Sequence, residues 1–261
     1  MSKKSSSKTN FLAQGTILVI ASFVAKAIGM IYRIPLTHIL GDDGNGYYST
    51  ANEIYTIILM ISSFSLPLAV SRLVAEREYA GEVKNSYKVL ICSLRFAAVT
   101  GGILSILTFL LGGVITKYVM GVELASYALR VLAPAIFLFA LTGVLRGFFQ
   151  GHGTMVPTAV SQIIEQIINA IVSVAGAYVM LQYGLKLGEK KGDAELGTAL
   201  AAAGGTFGTV ASVGVALLFM IVIYLGYRNG FKRRMKKDKT RRRESDRAIY
   251  RAMTYTILPI V

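Results

Sequence analysis

Six long apolar stretches, at residues 11–35, 51–71, 89–116, 128–149, 155–182 and 197–227, constrain this chain more than any other feature. Each reaches the roughly 20 residues that a helix needs to cross a hydrocarbon core. In lipid a backbone must satisfy its N–H and C=O groups within its own segment, so all six are expected to be helices. A hydrophobic content of 54% and a mean hydropathy of +0.55 lie far above the soluble average and place the chain among integral membrane proteins. The fold class expected is an all-α membrane bundle of six transmembrane helices. Lys3, Lys4 and Lys8 ahead of an apolar run, with Ala25-Lys26-Ala27, have the outline of a signal peptide, but the run continues to Ile34 and five spans follow.

Basic residues set the orientation. With the N-terminus inside, the segments 1–10, 72–88, 146–154 and 228–251 hold twenty Lys and Arg. The opposite side holds about six, namely Arg33, Lys117, Arg130, Lys186, Lys190 and Lys191. The positive-inside rule therefore puts the N-terminus in the cytoplasm. Twelve of the cations fall in 228–251 against Asp238, Glu244 and Asp246. After six spans this segment reads as a cytoplasmic linker held on anionic membrane lipids, with no nucleic-acid partner. Residues 252–261 open another apolar stretch too short to span. The organisation expected is a six-helix lobe at 1–227, a basic linker at 228–251 and the truncated start of a seventh helix at 252–261. Such a pattern fits the first half of a transporter built from two repeats, with a C-terminal lobe as its missing partner.

The charges inside the spans point to function. Lys26 and Arg33 lie seven residues apart, about two turns, and so share one side of the first helix. Each charge near mid-bilayer costs about 2.5–3.5 kcal/mol, which predicts a wet cavity for an anion. Arg95 lies in the inner half of the third span as a further cavity cation or an interfacial anchor, and Arg72 reads as an anchor. Asn52 and Glu53 fall at the outer mouth of the cavity. In the fifth span Gln162, Glu165, Gln166 and Asn169 follow i, i+3, i+4, i+7 spacing and form one polar stripe. Glu165 there either takes part in coupling or forms a static ion pair, with Lys26 as one partner. Arg146 and Gln150 belong to the glycine-rich turn before Pro157, on the cytoplasmic side, where they cap helix-end carbonyls, contact a headgroup or act at a gate.

Other motifs are structural. Gly41–Tyr48 reads as a tight outer turn. Pro67 and Pro134 are expected to bend their helices, while Pro35, Pro157 and Pro259 lie in or near span ends. Gly204, Gly208 and Ser212 at four-residue steps form a close-packing face. Cys92 is the lone cysteine, His38 and His152 are too far apart for a local metal motif, and no phosphate-binding GxxxxGK[ST] occurs. No cofactor is expected; coupling to protons, sodium or the membrane potential stays open.

Several motifs in order carry a resemblance: Lys26-Ala-Ile-Gly-Met-Ile-Tyr-Arg33, Gly41–Tyr48, Leu66-Pro-Leu-Ala-Val-Ser-Arg-Leu-Val-Ala75, Arg146-Gly-Phe-Phe-Gln-Gly and Pro157-Thr-Ala-Val-Ser-Gln-Ile-Ile-Glu-Gln166. Together they resemble the polysaccharide-biosynthesis, stage V sporulation protein B and MurJ-like branch of the multidrug/oligosaccharidyl-lipid/polysaccharide exporter superfamily, over its N-terminal half. The resemblance implies one lobe of a MATE-like two-bundle transporter. It implies a flippase, not an enzyme, that exports undecaprenyl-pyrophosphate-linked oligosaccharide across the bacterial cytoplasmic membrane by alternating access. It also implies cavity cations on the first helix: Lys26 matches one, and the next would fall at Tyr32 rather than Arg33. A multidrug or cation antiporter of the same superfamily is the alternative, although its cavity would need acids. A membrane enzyme acting on polyprenyl phosphates, with Asp42 and Asp43 holding a metal, is a second alternative.

Overall fold

The computed structural model describes residues 2–193, 195–238, 240 and 243–257, with side chains from Gln14 onward. These residues form seven α-helices: α1 Ser2–Ser62, α2 Leu66–Tyr79, α3 Val83–Val114, α4 Ala125–Gly151, α5 Val156–Lys191, α6 Leu196–Lys237 and α7 Asp246–Ile257. A short π-helical turn, Ile115–Val119, extends α3. Among the described residues there is no strand.

α1 is two arms, 2–40 and 42–62, that reverse at Gly41, where φ is 64° and ψ is −172°. Leu36 and Tyr48, from opposite arms, both face Gly205 of α6, which shows that the arms run back along each other. Only glycine adopts such a backbone without strain, so one residue does the work predicted for the whole Gly41–Tyr48 turn. Asp42 and Asp43 fall instead in the first turn of the second arm, where carboxylates suit the positive end of the helix dipole.

The second span thus starts earlier than the expected residue 51, and it bends on the way. Pro67 lies in the first turn of α2, where its missing N–H is harmless, but its ring crowds the carbonyl four residues back, that of Ser63. The chain accordingly leaves helical geometry at 63–65, with Phe64 N reaching back to Leu59 O at 3.0 Å. This is the predicted bend at Pro67. By contrast the helical assignment of α4 runs unbroken through Pro134. Pro259 lies outside the described residues.

Five helical stretches are long and apolar enough to cross a membrane, the first running from Gln14 to Tyr79. Divided at Gly41, that stretch makes two crossings and restores the six expected. α4 runs through the middle, with buried side chains along most of its length. One apolar core at its basic end joins Leu66, Val70, Phe148, Met220, Ile249 and Met253. A second, toward the Gly41 reversal, joins Leu36, Tyr48, Ile54, Leu129 and Ile136.

Glycine sets how closely these helices pack. Gly204 lies against the backbone of Gly176 and Gly208 against Ser173, so α5 and α6 meet backbone to backbone. Gly147 and Gly151 admit Pro67 and Val74 in the same way, bringing α2 onto α4. The stripe of Gly204, Gly208 and Ser212 is the packing face that its spacing suggests, and all three are buried.

The basic segment departs from its expected form. Arg228–Lys237 continue α6 rather than forming a linker, and α7 starts at Asp246. Ile249 and Met253 are fully buried, which seats one face of α7 on the bundle. Residues 258–261 lie outside the described residues. Ion pairs fasten this end, Arg77 Nη2 to Glu244 Oε2 at 2.9 Å and Glu78 to Arg234, with His152 Nε2 lying 3.1 Å from the Glu78 carboxylate. Asp238 accepts from Lys84 N at 2.8 Å and Thr240 N at 2.7 Å. Bonding to Thr240 first, then to Lys84, holds its carboxyl down at about 2. A lowered acid stabilises the fold above its ordinary value, and that contribution disappears as pH falls toward 2.

The packing yields a first prediction. Gly204→Ala or Gly208→Ala places a methyl group in occupied space and should lower the unfolding free energy by about 1–3 kcal/mol. Gly226→Ala, with nothing within 4 Å, should be neutral. Thermal unfolding midpoints in detergent check both.

Candidate functional site

Lys26 and Arg33 project from the first arm of α1 into one groove of about 460 Å³, lined also by Ala25, Gly29, Met30 and Gln166. Arg33 also lines a second depression of about 450 Å³ with Ser49, Asn52, Glu53, Thr56 and Ile57 of the returning arm. The reversal at Gly41 is what lays Asn52 and Glu53 beside Arg33, since sequence alone separates them by some twenty positions. Four of the sequence-predicted site residues therefore share one continuous exposed surface. Among the described residues neither Lys26 nor Arg33 forms an ion pair, while Asn52 Nδ2 donates to Tyr48 O at 2.8 Å. Exposed apolar side chains, including Met30, Ile34, Ile57 and Met60, flank the surface.

The polar stripe of α5 is divided among several tasks. Gln162 Oε1 accepts from Ser22 Oγ at 3.2 Å, joining α5 to α1. Gln166 turns into the Lys26 groove. Asn169 Nδ2 donates to Tyr32 OH at 3.0 Å, and its Oδ1 accepts from Ser173 Oγ at 2.9 Å. Tyr32, where the resemblance would set a cation, is thereby turned toward α5, while Arg33 next to it faces the open groove.

Glu165 pairs with Arg146, not with Lys26. Arg146 Nη2 donates to Glu165 Oε2 at 2.7 Å, and its Nε donates to Ser161 Oγ at 2.9 Å. Arg146 is 7% exposed, which removes it from the headgroup and turn role expected of it. The reason lies in its neighbours: Gly147 and Gly151 commit one side of α4 to α2, so the long side chain goes to the α5 side. Of the pair assigned to the turn, only Gln150 stays there, reaching Thr158 Oγ1 at 3.5 Å. One signal for the pair exists in the sequence. Two antiparallel helices joined by a four-residue connection bring positions equally far from it together, which sets Arg146 opposite Ser161 and leaves Glu165 one turn further along α5.

Arg95 stands apart from the Lys26 groove. Its guanidinium lies 3.6 Å from Asp246, in a different depression on α3. Arg72 is exposed and bonded to Glu76 at 3.1 Å. Asp42 and Asp43 are exposed, and among the described residues no three His, Cys, Asp or Glu side chains gather as a metal site.

Removing one partner of a buried ion pair leaves the other charge stranded, at a cost of about 3–5 kcal/mol. Arg146→Gln and Glu165→Gln should each destabilise the bundle, and the double variant should lose much less than the sum. A double-mutant cycle of thermal unfolding measures this coupling.

Comparisons with known proteins agree with this architecture. Residues 11–247 match the family model described as polysaccharide biosynthesis protein. Stage V sporulation protein B of Bacillus subtilis is 28% identical over 217 residues, covering 83% of this chain and 39% of that protein. The lipid II flippase MurJ of the same organism is 29% identical over 180 residues, 66% of this chain and 33% of that one. The chain thus spans well under half the length of these curated relatives. Among solved structures, an outward-facing multidrug resistance MATE family transporter of the MOP superfamily superposes with a TM-score of 0.68 at 18% identity, over 94% of this chain and 51% of its own. The last likeness concerns the fold alone. A multi-pass membrane protein is the common conclusion.

Proposed function

The chain belongs to the polysaccharide biosynthesis protein family, and on that premise we propose that it is a lobe of a flippase for undecaprenyl-pyrophosphate-linked oligosaccharide. The observation that carries the reading is the single groove shared by Lys26 and Arg33, two cations without ion-pair partners among the described residues. Seven residues of helix rise about 10 Å, a span that a long Lys and a long Arg side chain close on a diphosphate between them. Each N–H···O⁻ contact there is charge-assisted and so stronger than one between neutral groups. The sugar headgroup passes through this polar surface while the polyprenyl tail stays in lipid.

A second bundle completes the cavity in this reading, and rocking of the two bundles moves the groove from one leaflet to the other. The similarity to about half of a two-bundle transporter fold supports that arrangement. The membrane is the bacterial cytoplasmic membrane, with the N-terminus and the basic end of the bundle in the cytoplasm, as the excess of Lys and Arg at that end supports. Lipid II is the substrate named for the MurJ relative, which makes a cell-wall precursor the first lipid to test. A cation antiporter is less well supported, because the groove offers two cations against Glu53 alone.

Lys26→Ala and Lys26→Glu, introduced in the full reading frame, are expected to abolish flipping while leaving membrane insertion intact. Complementation of a flippase-depleted strain is the assay, with Lys26→Arg retaining partial function. Normal growth with both of the first two variants would overturn the site.

A further inference from the structure

A second cationic groove, on α3, shares no residue with the one on α1. Lys84, Lys88, Ile91 and Arg95 recur at three- and four-residue steps and so lie on one side of α3. With Arg243 and Asp246 from the approach to α7, they line a groove of about 440 Å³. Four cations thus meet one carboxylate. Lys88 Nζ lies 2.6 Å from Asp246 Oδ1, and Arg95 Nη1 lies 3.6 Å from Asp246 Oδ2. Among the described residues Lys84 Nζ donates to the backbone carbonyl of Asp238, at 2.8 Å, and neither Lys84 nor Arg243 forms an ion pair. The other acids nearby are engaged elsewhere: Asp238 on backbone N–H groups, Glu244 on Arg77 and Glu82 on Asn85.

We propose that this groove binds a phosphate-bearing amphiphile, with Asp246 as the internal anion holding the place of its phosphate. Ile91 and Met235 give the groove an apolar wall. Beyond Arg95 the same side of α3 continues with exposed Val99, Ile103 and Ile106, a track for an acyl chain. Lys84 and Lys88 fall within the first two turns of α3, and Arg95 lies about 10 Å further along, within reach of the interface for a flexible cation. Phosphate on a cationic cluster and a tail on an apolar strip describe an anionic phospholipid better than free phosphate. The site stands independently of the flippase reading.

Native mass spectrometry and thermal shift on the detergent-solubilised chain test this, with dioleoylphosphatidylglycerol, dioleoylphosphatidylcholine and inorganic phosphate as separate probes. Phosphatidylglycerol should be retained and should raise the unfolding midpoint, and Lys84→Gln/Arg95→Gln should weaken its binding roughly tenfold. Asp246→Asn should tighten it by removing the internal competitor. Arg247→Gln/Arg251→Gln removes the same charge from the outer side of α7 and should leave binding unchanged. An equal response to inorganic phosphate would keep the phosphate site and overturn the lipid as its source. Equal retention of phosphatidylcholine, or equal losses in the two double variants, would overturn the proposal, since general attraction to a basic surface would then suffice.

Discussion

Backbone contact through glycine is the constraint from which the rest of this bundle follows. Lipid tails are as apolar as leucine, so helices in a membrane associate by close packing instead of by expulsion of water. α5 touches α6 at Gly176, Gly204 and Gly208, and α2 touches α4 at Gly147 and Gly151. Those contacts fix the rotation of α4 and α5 about their own axes. Once they are fixed, Arg146 and the polar stripe of α5 have one direction left, toward each other and toward α1.

Charge then divides into two kinds. Glu165, Glu78 and Glu244 are each spent on arginines that tie elements together, and Asp238 is spent on the start of α3. Among the described residues Lys26 and Arg33 have no such partner, on an open surface made by the two arms of α1.

The basic end is more ordered than its composition suggests. Twelve cations in 24 residues read as a cytoplasmic linker held on anionic membrane lipids. In three dimensions part of that charge is a helical extension of α6, anchored where Phe231 packs on Phe148 with ring centroids 5.2 Å apart. Glu78 of α2 pairs with one of its cations, Arg234. α7 follows as an amphipathic helix whose buried Ile249 and Met253 no linker would require.

Length and hydropathy alone determined the helical membrane bundle, the six crossings and the cations on the first helix, because lipid permits few backbone solutions and penalises every stray charge. The small-residue stripe of α6 and the bend at Pro67 were equally legible, being local consequences of side-chain size and a missing N–H. Tertiary structure decided the partners. That Glu165 meets Arg146 rather than Lys26, that Arg33 joins Asn52 and Glu53, and that Arg95 belongs to another groove all depend on helix rotation and on one left-handed glycine. Those are set by contacts between distant segments, and periodicity along a single helix carries no record of them.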